Sequence, residues 1–83
     1  MIYRAKIEVS LKPGHSDPEG NTTQRLLKEL GYAVQSVNVS KTYNIQIKAT
    51  SKDEAKVKAD EMAKRLLANP TKDDYCLTIE EQK

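Results

Sequence analysis

The sequence predicts an α+β fold with the element order βαββαβ, a two-layer arrangement in which both helices cover one face of a four-stranded sheet. Three observations predict it. Apolar and polar residues alternate in four short segments, Leu and Ala recur at helical spacing in two others, and turn-forming residues separate them. A ferredoxin-like plait, or a variant of it, is the simplest architecture with this order. We expect the 83 residues to form a single domain, 1–83.

The first strand is predicted over residues 2–11. Its polar positions form one face, and its apolar positions form the other, namely Tyr3, Ala5, Ile7, Val9 and Leu11. This alternation is typical of a half-buried strand. Lys12-Pro13-Gly14 ends it, because proline has no amide proton for the strand ladder and glycine permits a positive φ.

Asp17-Pro18 has the chemistry of a helix start. The Asp17 carboxylate can accept hydrogen bonds from the free amides of the first turn, and Pro18 suits the first helical position. Gly20 is unexpected inside this turn, since glycine costs about 1 kcal/mol relative to alanine in a helix, and it suggests that something packs closely there. Gly31 is the predicted terminator after the apolar positions Leu26, Leu27 and Leu30.

Two consecutive strands are predicted next, over residues 33–39 and 43–49, with Ser40-Lys41-Thr42 as the connection. Strands joined this briefly pair antiparallel, which would place Lys41 at the tip of a hairpin.

The second helix begins at Ser51, because Ser51-x-x-Glu54 has the form of a capping box. We expect it to end near Asn69-Pro70, where Asn69 can adopt the left-handed conformation and Pro70 cannot continue the helix. Its predicted core stripe comprises Ala55, Ala59, Met62, Ala63, Leu66 and Leu67. The last strand is predicted from Tyr75, Leu77 and Ile79.

Composition narrows the classes of function. The formal net charge of +2 argues against a nucleic acid as the main partner, and no apolar run is long enough to span a membrane. A lone cysteine, Cys76, fits a reducing compartment, so we expect a cytoplasmic protein. The chain has neither Trp nor Phe, so its core is light, and self-association would compensate for that.

The sequence offers no complete catalytic or ligand-binding set. His15 and Cys76 are the only residues of their types, and no third residue supports them as a nucleophile pair. The glycines around Asp17 do not match a phosphate loop, and His15, Asp17 and Glu19 do not have metal-ligand spacing. We therefore expect no catalytic, cofactor or metal site on this chain.

The same element order occurs in RNA-recognition modules, which stack bases on aromatic residues of the exposed sheet face. Tyr3 and Tyr43 instead alternate in step with the apolar residues of their strands, so they are predicted on the buried face, which disfavours RNA binding.

An ordered set of short motifs resembles the PurS family. It begins with K-x-G-x-x-D-P-x-G at Lys12–Gly20 and continues with Leu27-Lys-Glu-Leu30-Gly31-Tyr32. Lys41 precedes the following strand, and Leu66-Leu67-Ala68-Asn69-Pro70 with Tyr75 completes the set. Ser40 stands where the family usually has glycine, Glu19 where it often has glutamine, and Thr71-Lys72 where it usually has apolar residues.

The resemblance implies the small, non-catalytic subunit of phosphoribosylformylglycinamidine synthase in purine biosynthesis, with a PurS-like variant of the fold. Its expected partners are a PurL-type synthetase subunit, a PurQ-type glutaminase subunit and further copies of itself, as a homodimer or higher oligomer. ATP, Mg²⁺ and glutamine would be used by the partners, and ammonia would pass between them. The interface candidates are Asp17, Pro18, Gly20, Lys41, Asn69 and Pro70.

Gly20 leads to a specific hypothesis, that the backbone of a second copy or of the synthetase approaches it closely. The alternative function is a small-molecule-binding regulatory module of the βαββαβ type.

Overall fold

The computed structural model describes residues 1–82 and confirms the α+β class. Three strands form one antiparallel sheet in the order β2-β1-β3. The elements in chain order are β1 (Ile2–Leu11), α1 (Pro18–Glu29), β2 (Lys41–Lys48), α2 (Lys52–Met62), a π-helical turn (Ala63–Leu67) and β3 (Asp73–Gln82).

The central strand β1 sets the register of the sheet. Ile7 lies opposite Tyr43 of β2 on one side and Leu77 of β3 on the other. Because side chains alternate along a strand, this register places the apolar positions of all three strands on the same face. The prediction of which residues of β1, β2 and β3 face the core is therefore confirmed.

The core lies between that face and α2 with its π-helical turn. Ile7 is the largest fully buried side chain. α2 and the turn contribute the small residues Ala55, Ala59 and Ala63, all with no exposed surface. Alanines at this spacing let the helix backbone lie close to the sheet, which suits a core without Trp or Phe.

The predicted start of both helices and the predicted end of α1 are confirmed. The Gly20 amide donates to Asp17 Oδ1 at 2.9 Å, and the Glu54 amide donates to Ser51 Oγ at 3.1 Å. At the other end of α1, Gly31 has φ +99°. The Gly31 amide donates to the Lys28 carbonyl at 3.0 Å and the Tyr32 amide to the Leu27 carbonyl at 3.1 Å, the pair of bonds of a Schellman motif.

α1 does not cover the sheet, although both helices were expected to do so. Gly20 is its only buried residue, and the core cluster contains no residue of α1. The core face of the sheet has only three strands and is already covered by α2 and its π-helical turn.

The predicted strand over residues 33–39 is wrong within the described chain, because these residues join no sheet. Within residues 1–82 the outer edge of β2, where the hairpin would have placed this segment, pairs with no other strand. The segment lies along α1 instead, and the Val39 amide donates to Asp17. The hairpin expected at Ser40-Lys41-Thr42 therefore does not form. Lys41 is the first residue of β2, where it lies opposite Val9.

The expectation of a left-handed Asn69 is also wrong, since glycines are the only residues with positive φ in the described chain. Ala68 ends the helix instead, in an extended conformation with φ −116° and ψ 133°. No helix within residues 1–82 is both long and apolar enough to cross a membrane.

Candidate functional site

Asp17 connects two parts of the chain that are far apart in sequence. Its Oδ1 accepts from the Gly20 amide and its Oδ2 from the Val39 amide, both at 2.9 Å. These two backbone donors, Val39 first, lower the pKa of the Asp17 carboxyl below its ordinary value. The residue that caps α1 therefore also holds the extended segment that precedes β2.

Gly20 allows the same segment to lie against α1. A Cβ atom at this position would be 2.2 Å from the Val37 carbonyl oxygen. The close backbone that the sequence led us to expect from another subunit thus comes from the same chain. The glycine is required because α1 and the segment are in direct contact at this turn.

A third bond extends this contact along the helix. Gln24 Nε2 donates to the Gln35 carbonyl at 3.0 Å. Residues 17–40 together form what we call the arm, comprising α1 and the extended segment that runs back along it. The arm is joined to the sheet by a hydrogen bond from Ser40 Oγ to Glu8 Oε2, at 3.2 Å.

The turn at Asn69-Pro70 lies beside the same end of β1. The Asn69 amide donates to Asp73 Oδ2 at 2.9 Å, and Asn69 Oδ1 accepts from the Thr71 amide at 2.9 Å. The turn is tied to the end of β1 by a bond from the Lys12 amide to the Lys72 carbonyl, 2.7 Å long. Asn69 thus acts as a turn-forming residue through its side-chain oxygen.

An open cleft lies where the arm, the β strands and this turn meet, and we call this place the junction. Its walls include Asp17, Pro18, Val39, Lys41, Tyr43 and Lys72. The structure thus brings together three of the predicted interface residues, Asp17, Pro18 and Lys41. Gly20 lies beneath the arm, and Asn69 is linked to the cleft through Asp73, which also lines it.

Lys41 and Lys72 are exposed cations of the junction. Neither forms an ion pair within the part of the chain that the structure describes. Lys12 is 3.9 Å from Asp74 Oδ1, a weak contact between exposed groups. The junction thus presents mixed charge and apolar surface, which is typical of the polar rim of a protein interface.

The arm carries the clearest exposed apolar surface of the chain. Leu26, Leu30 and Tyr32 are 47%, 73% and 62% exposed. Because Leu26 and Leu30 are one helical turn apart, they lie on one side of α1. α1 has an apolar stripe of the kind that normally packs against a core, but this stripe does not pack against the core of the chain.

The shape of the molecule reflects this arrangement. It measures 51 × 30 × 14 Å and has a radius of gyration of 16.3 Å. A compact chain of this length has a radius of about 12 Å. The arm therefore extends the molecule beyond the two-layer body.

A second polar network joins α2 to β3. Tyr75 Oη donates to Asp60 Oδ1 at 2.5 Å, and Lys64 Nζ is 3.0 Å from Asp60 Oδ2. The hydrogen bond from Tyr75, followed by that from Lys64, lowers the pKa of Asp60, and the carboxylate in turn raises the pKa of the Tyr75 hydroxyl. These contacts fix the end of α2 on the sheet and have a structural role.

The residues considered for catalysis lie apart from such networks. His15 is exposed in the loop before α1, and Cys76 is exposed on the polar face of the sheet, opposite Glu8. No group of three His, Cys, Asp or Glu side chains within residues 1–82 has the arrangement of a metal site. The aromatic strand residues Tyr3, Tyr43 and Tyr75 all pack in or against the core.

Sequence reasoning missed Val37, which lies against Gly20, and also Val39 and Lys72, which line the junction. The alternation in residues 33–39 indicated a strand, so the contact of Val37 and Val39 with the start of α1 was not anticipated. The available signal was Gly20, since its poor helix propensity required a close neighbour.

Comparison with known proteins identifies the family. The model of the PurS family, described as phosphoribosylformylglycinamidine (FGAM) synthase, matches residues 4–81. The FGAM synthase subunit PurS of Methanocaldococcus jannaschii is 38% identical over 80 residues, which cover 95% of this chain and 96% of that protein.

Solved structures of PurS proteins are similar to this chain over almost its whole length. The crystal structure of M. jannaschii PurS, one of the subunits of formylglycinamide ribonucleotide amidotransferase in the purine biosynthetic pathway, has a TM-score of 0.87 at 38% identity and covers 98% of this chain and 99% of its own. A chain of the PurLQS structure from Thermotoga maritima has a TM-score of 0.88 at 25% identity, with 96% and 99% covered. The chain described here belongs to the PurS family, the small subunits of FGAM synthase.

Proposed function

We propose that this chain is the non-catalytic accessory subunit of an FGAM synthase complex in the cytoplasm. In that role it assembles a PurQ-type glutaminase subunit with a PurL-type, ATP-dependent synthetase subunit and supports ammonia transfer between them. ATP, Mg²⁺ and glutamine are used by those partners. The PurLQS structure of the T. maritima relative supports this assignment.

The observation that carries the proposal is the arm with its uncovered apolar side. The chain exposes 6315 Å², about 1,300 Å² more than a compact protein of this mass. A standard protein interface takes about 800 Å² from each partner. The excess is larger than the area that a standard interface takes from one partner, and the exposed Leu26, Leu30 and Tyr32 place apolar surface for such a contact on the arm.

We propose that the arm and the junction contact the partner subunits. Leu26, Leu30 and Tyr32 would supply the buried centre of that contact, because aromatic and large aliphatic residues dominate interface energies. Lys41 and the other junction candidates would form its polar rim. We also propose that the chain self-associates, as a homodimer or higher oligomer.

The test is glutamine-dependent FGAM synthesis by the two catalytic subunits, with and without this chain, and with ammonia as the control nitrogen source. We expect glutamine-dependent synthesis to require the chain and ammonia-dependent synthesis to proceed without it. If both rates are unaffected, the accessory function is wrong. A thermal shift of the isolated chain with a small metabolite would then favour the regulatory-module alternative.

Substitutions on the arm and in the junction, each with a matched control, test whether this surface contacts the partner subunits. Leu30→Asp on the arm should abolish the glutamine-dependent stimulation, whereas Val57→Asp on α2, a residue of similar exposure at 58%, should not. In the same way, Lys41→Ala should weaken assembly more than Lys48→Ala, since the two lysines are exposed at opposite ends of β2. Equal effects within each pair would contradict the assignment of this surface.

A further inference from the structure

The arm is joined to the rest of the molecule by very few contacts. Within residues 1–82, a single hydrogen bond and no ion pair connects the arm to the rest of the chain, from Ser40 Oγ to Glu8 Oε2 at 3.2 Å. The extensive contacts between elements involve the three strands, α2 and the π-helical turn, and α1 takes part in none of them. The orientation of the arm is therefore set mainly by its two covalent connections, to β1 and to β2.

These two connections lie side by side. The Val39 amide, near the exit of the arm, donates to Asp17 Oδ2 at its entrance, over 2.9 Å. A rigid unit that is attached at two neighbouring points can rotate about the line that joins them. The entrance follows the exposed loop 13–16, in which Gly14 has φ +90°. Loop residues of this kind absorb the backbone changes of hinge motions.

The arm is internally firm, in contrast to its attachment. Gln24 Nε2 donates to the Gln35 carbonyl at 3.0 Å, and Gly20 lies directly against the Val37 carbonyl. Together with the bond between Val39 and Asp17, these contacts fasten α1 to the extended segment at three places. A change in the orientation of the arm would therefore leave its internal structure intact.

Open space lies next to the hinge on both faces of the sheet. On the core face, the junction is a cleft of about 390 Å³. On the polar face, a second cleft of about 470 Å³ has Glu8, Ser10, Lys12 and Asn38 among its lining residues. The end of β1 and the arm are thus separated by solvent on either side, so the arm has room to turn.

The junction has an apolar wall on each side. Pro18 and Val39 line it from the arm, and Val39 is 37% exposed. Tyr43 and Leu67 line it from the body, where they are only partly buried. Because removing apolar surface from water is favourable, a movement that narrows the junction gains free energy at these residues.

We propose that the arm is hinged and closes over the junction, and that the hydrogen bond between Ser40 and Glu8 holds it open. Glu8 belongs to the polar face of β1, whereas the junction lies on the core face beside Val9. A rotation towards the core face therefore pulls Ser40 away from Glu8. The structure shows the open form, and in the closed form the apolar walls of the junction are in contact. The motion needs no partner subunit, so it stands or falls separately from the accessory function.

Distances between spin labels on the full-length chain test the motion. The labels are attached at Lys28→Cys on α1 and Glu61→Cys on α2, in a chain that also carries Cys76→Ser. Labelled chain is diluted with unlabelled chain, so that pulsed electron paramagnetic resonance measures only distances within one chain. We expect a main distance for the open form and a minor, shorter one for the closed form. Ser40→Ala should raise the ratio of the shorter to the longer distance about fivefold, as the loss of one exposed hydrogen bond allows. Ser36→Ala, at an exposed serine of the same segment, is the matched control and should leave the ratio unchanged.

Val39→Ser tests the contact that favours closing. It removes apolar surface from the junction but keeps the backbone amide that binds Asp17. In combination with Ser40→Ala, it should return the ratio of the two distances towards the wild-type value. A ratio that stays raised in the double variant would refute closing by these apolar walls.

A second pair of labels, at Lys28→Cys and Asn38→Cys, reports on the arm alone. Its distance should be the same in the wild type and in Ser40→Ala, and a change there would mean that the arm comes apart instead of turning as one unit. A single, unchanged distance between arm and body in both proteins would refute the hinge. Two distances whose ratio Ser40→Ala does not change would refute the role of its hydrogen bond, and a longer distance in that variant would refute closure over the junction.

Discussion

At the scale of single residues, Asp17 and Gly20 show how a helix start also fixes a long-range contact. Asp17 binds one amide of α1 and one of the extended segment, and Gly20 leaves space for the Val37 carbonyl. The helix-capping role of Asp17 was predictable, because it depends on the neighbouring residues alone. The contact with Val37 and Val39 was not, because it depends on where the chain returns about 20 residues later.

Gly20→Ala should destabilise the chain although alanine is the better helix former. The propensity gain is about 1 kcal/mol, but the new methyl group would lie 2.2 Å from the Val37 oxygen. We expect a net loss of about 1–3 kcal/mol, as for other overpacked sites. Urea unfolding measures it. The control is Thr22→Ala, an exposed position of the same helix, which should not lower the stability. A stabilised Gly20→Ala chain would show that the arm is not held in this contact.

Asp17 should also make the stability depend on pH. Its folded pKa lies below its ordinary value, so its contribution is fully present above about pH 4 and is lost as the pH falls through the folded pKa. In Asp17→Asn the amide keeps one acceptor oxygen and carries no charge. The variant should be less stable than the wild type at pH 6, and the difference should shrink towards pH 2. Unfolding curves at a series of pH values test this, and parallel curves for the two proteins would contradict it.

At the scale of elements, hydrophobic periodicity predicted β1, β2, β3 and both helices, because each has a face whose apolar residues recur with its own period. It failed over residues 33–39, where alternation is present but the segment is held along α1 through Asp17, Gly20 and Gln24. It also failed at the π-helical turn, where the predicted core stripe contained both Leu66 and Leu67 but only Leu67 packs against the core.

The two leucines of the π-helical turn should respond differently to truncation. Leu67→Ala should lower the free energy of unfolding by about 1–2 kcal/mol, because Leu67 packs against the core. Leu66→Ala should change it by less than about 0.5 kcal/mol, because the side chain is 83% exposed. Chemical unfolding at protein concentrations low enough to keep the chain monomeric compares them. The reverse order would contradict the placement of Leu67 against the core and of Leu66 in solvent.

At the scale of the whole molecule, the chain consists of a two-layer body and an arm that contributes nothing to the core. The body contains the core, and the arm supplies exposed apolar surface. An arm joined to the body by few contacts belongs to the low-stability part of a protein, so its order depends on what covers it.

Amide hydrogen exchange should reveal this division. In the isolated chain, the amides of α1 should exchange faster than those of β1 and α2, because only Gly20 of α1 is buried. In the complex with the synthetase and glutaminase subunits, the amides of α1 should become strongly protected, whereas those of β1 should change little. Equal protection of α1 in the free and assembled states would contradict its role as a contact surface.

Local chemistry and short motifs were enough to predict the α+β class, the faces of the strands, the helix starts and the family. Three features could be known only from the folded chain: residues 33–39 join the arm, Lys41 begins a strand, and Leu66 is exposed while Leu67 is not. Each of these depends on contacts between segments that are distant in sequence, and a local pattern does not contain those contacts.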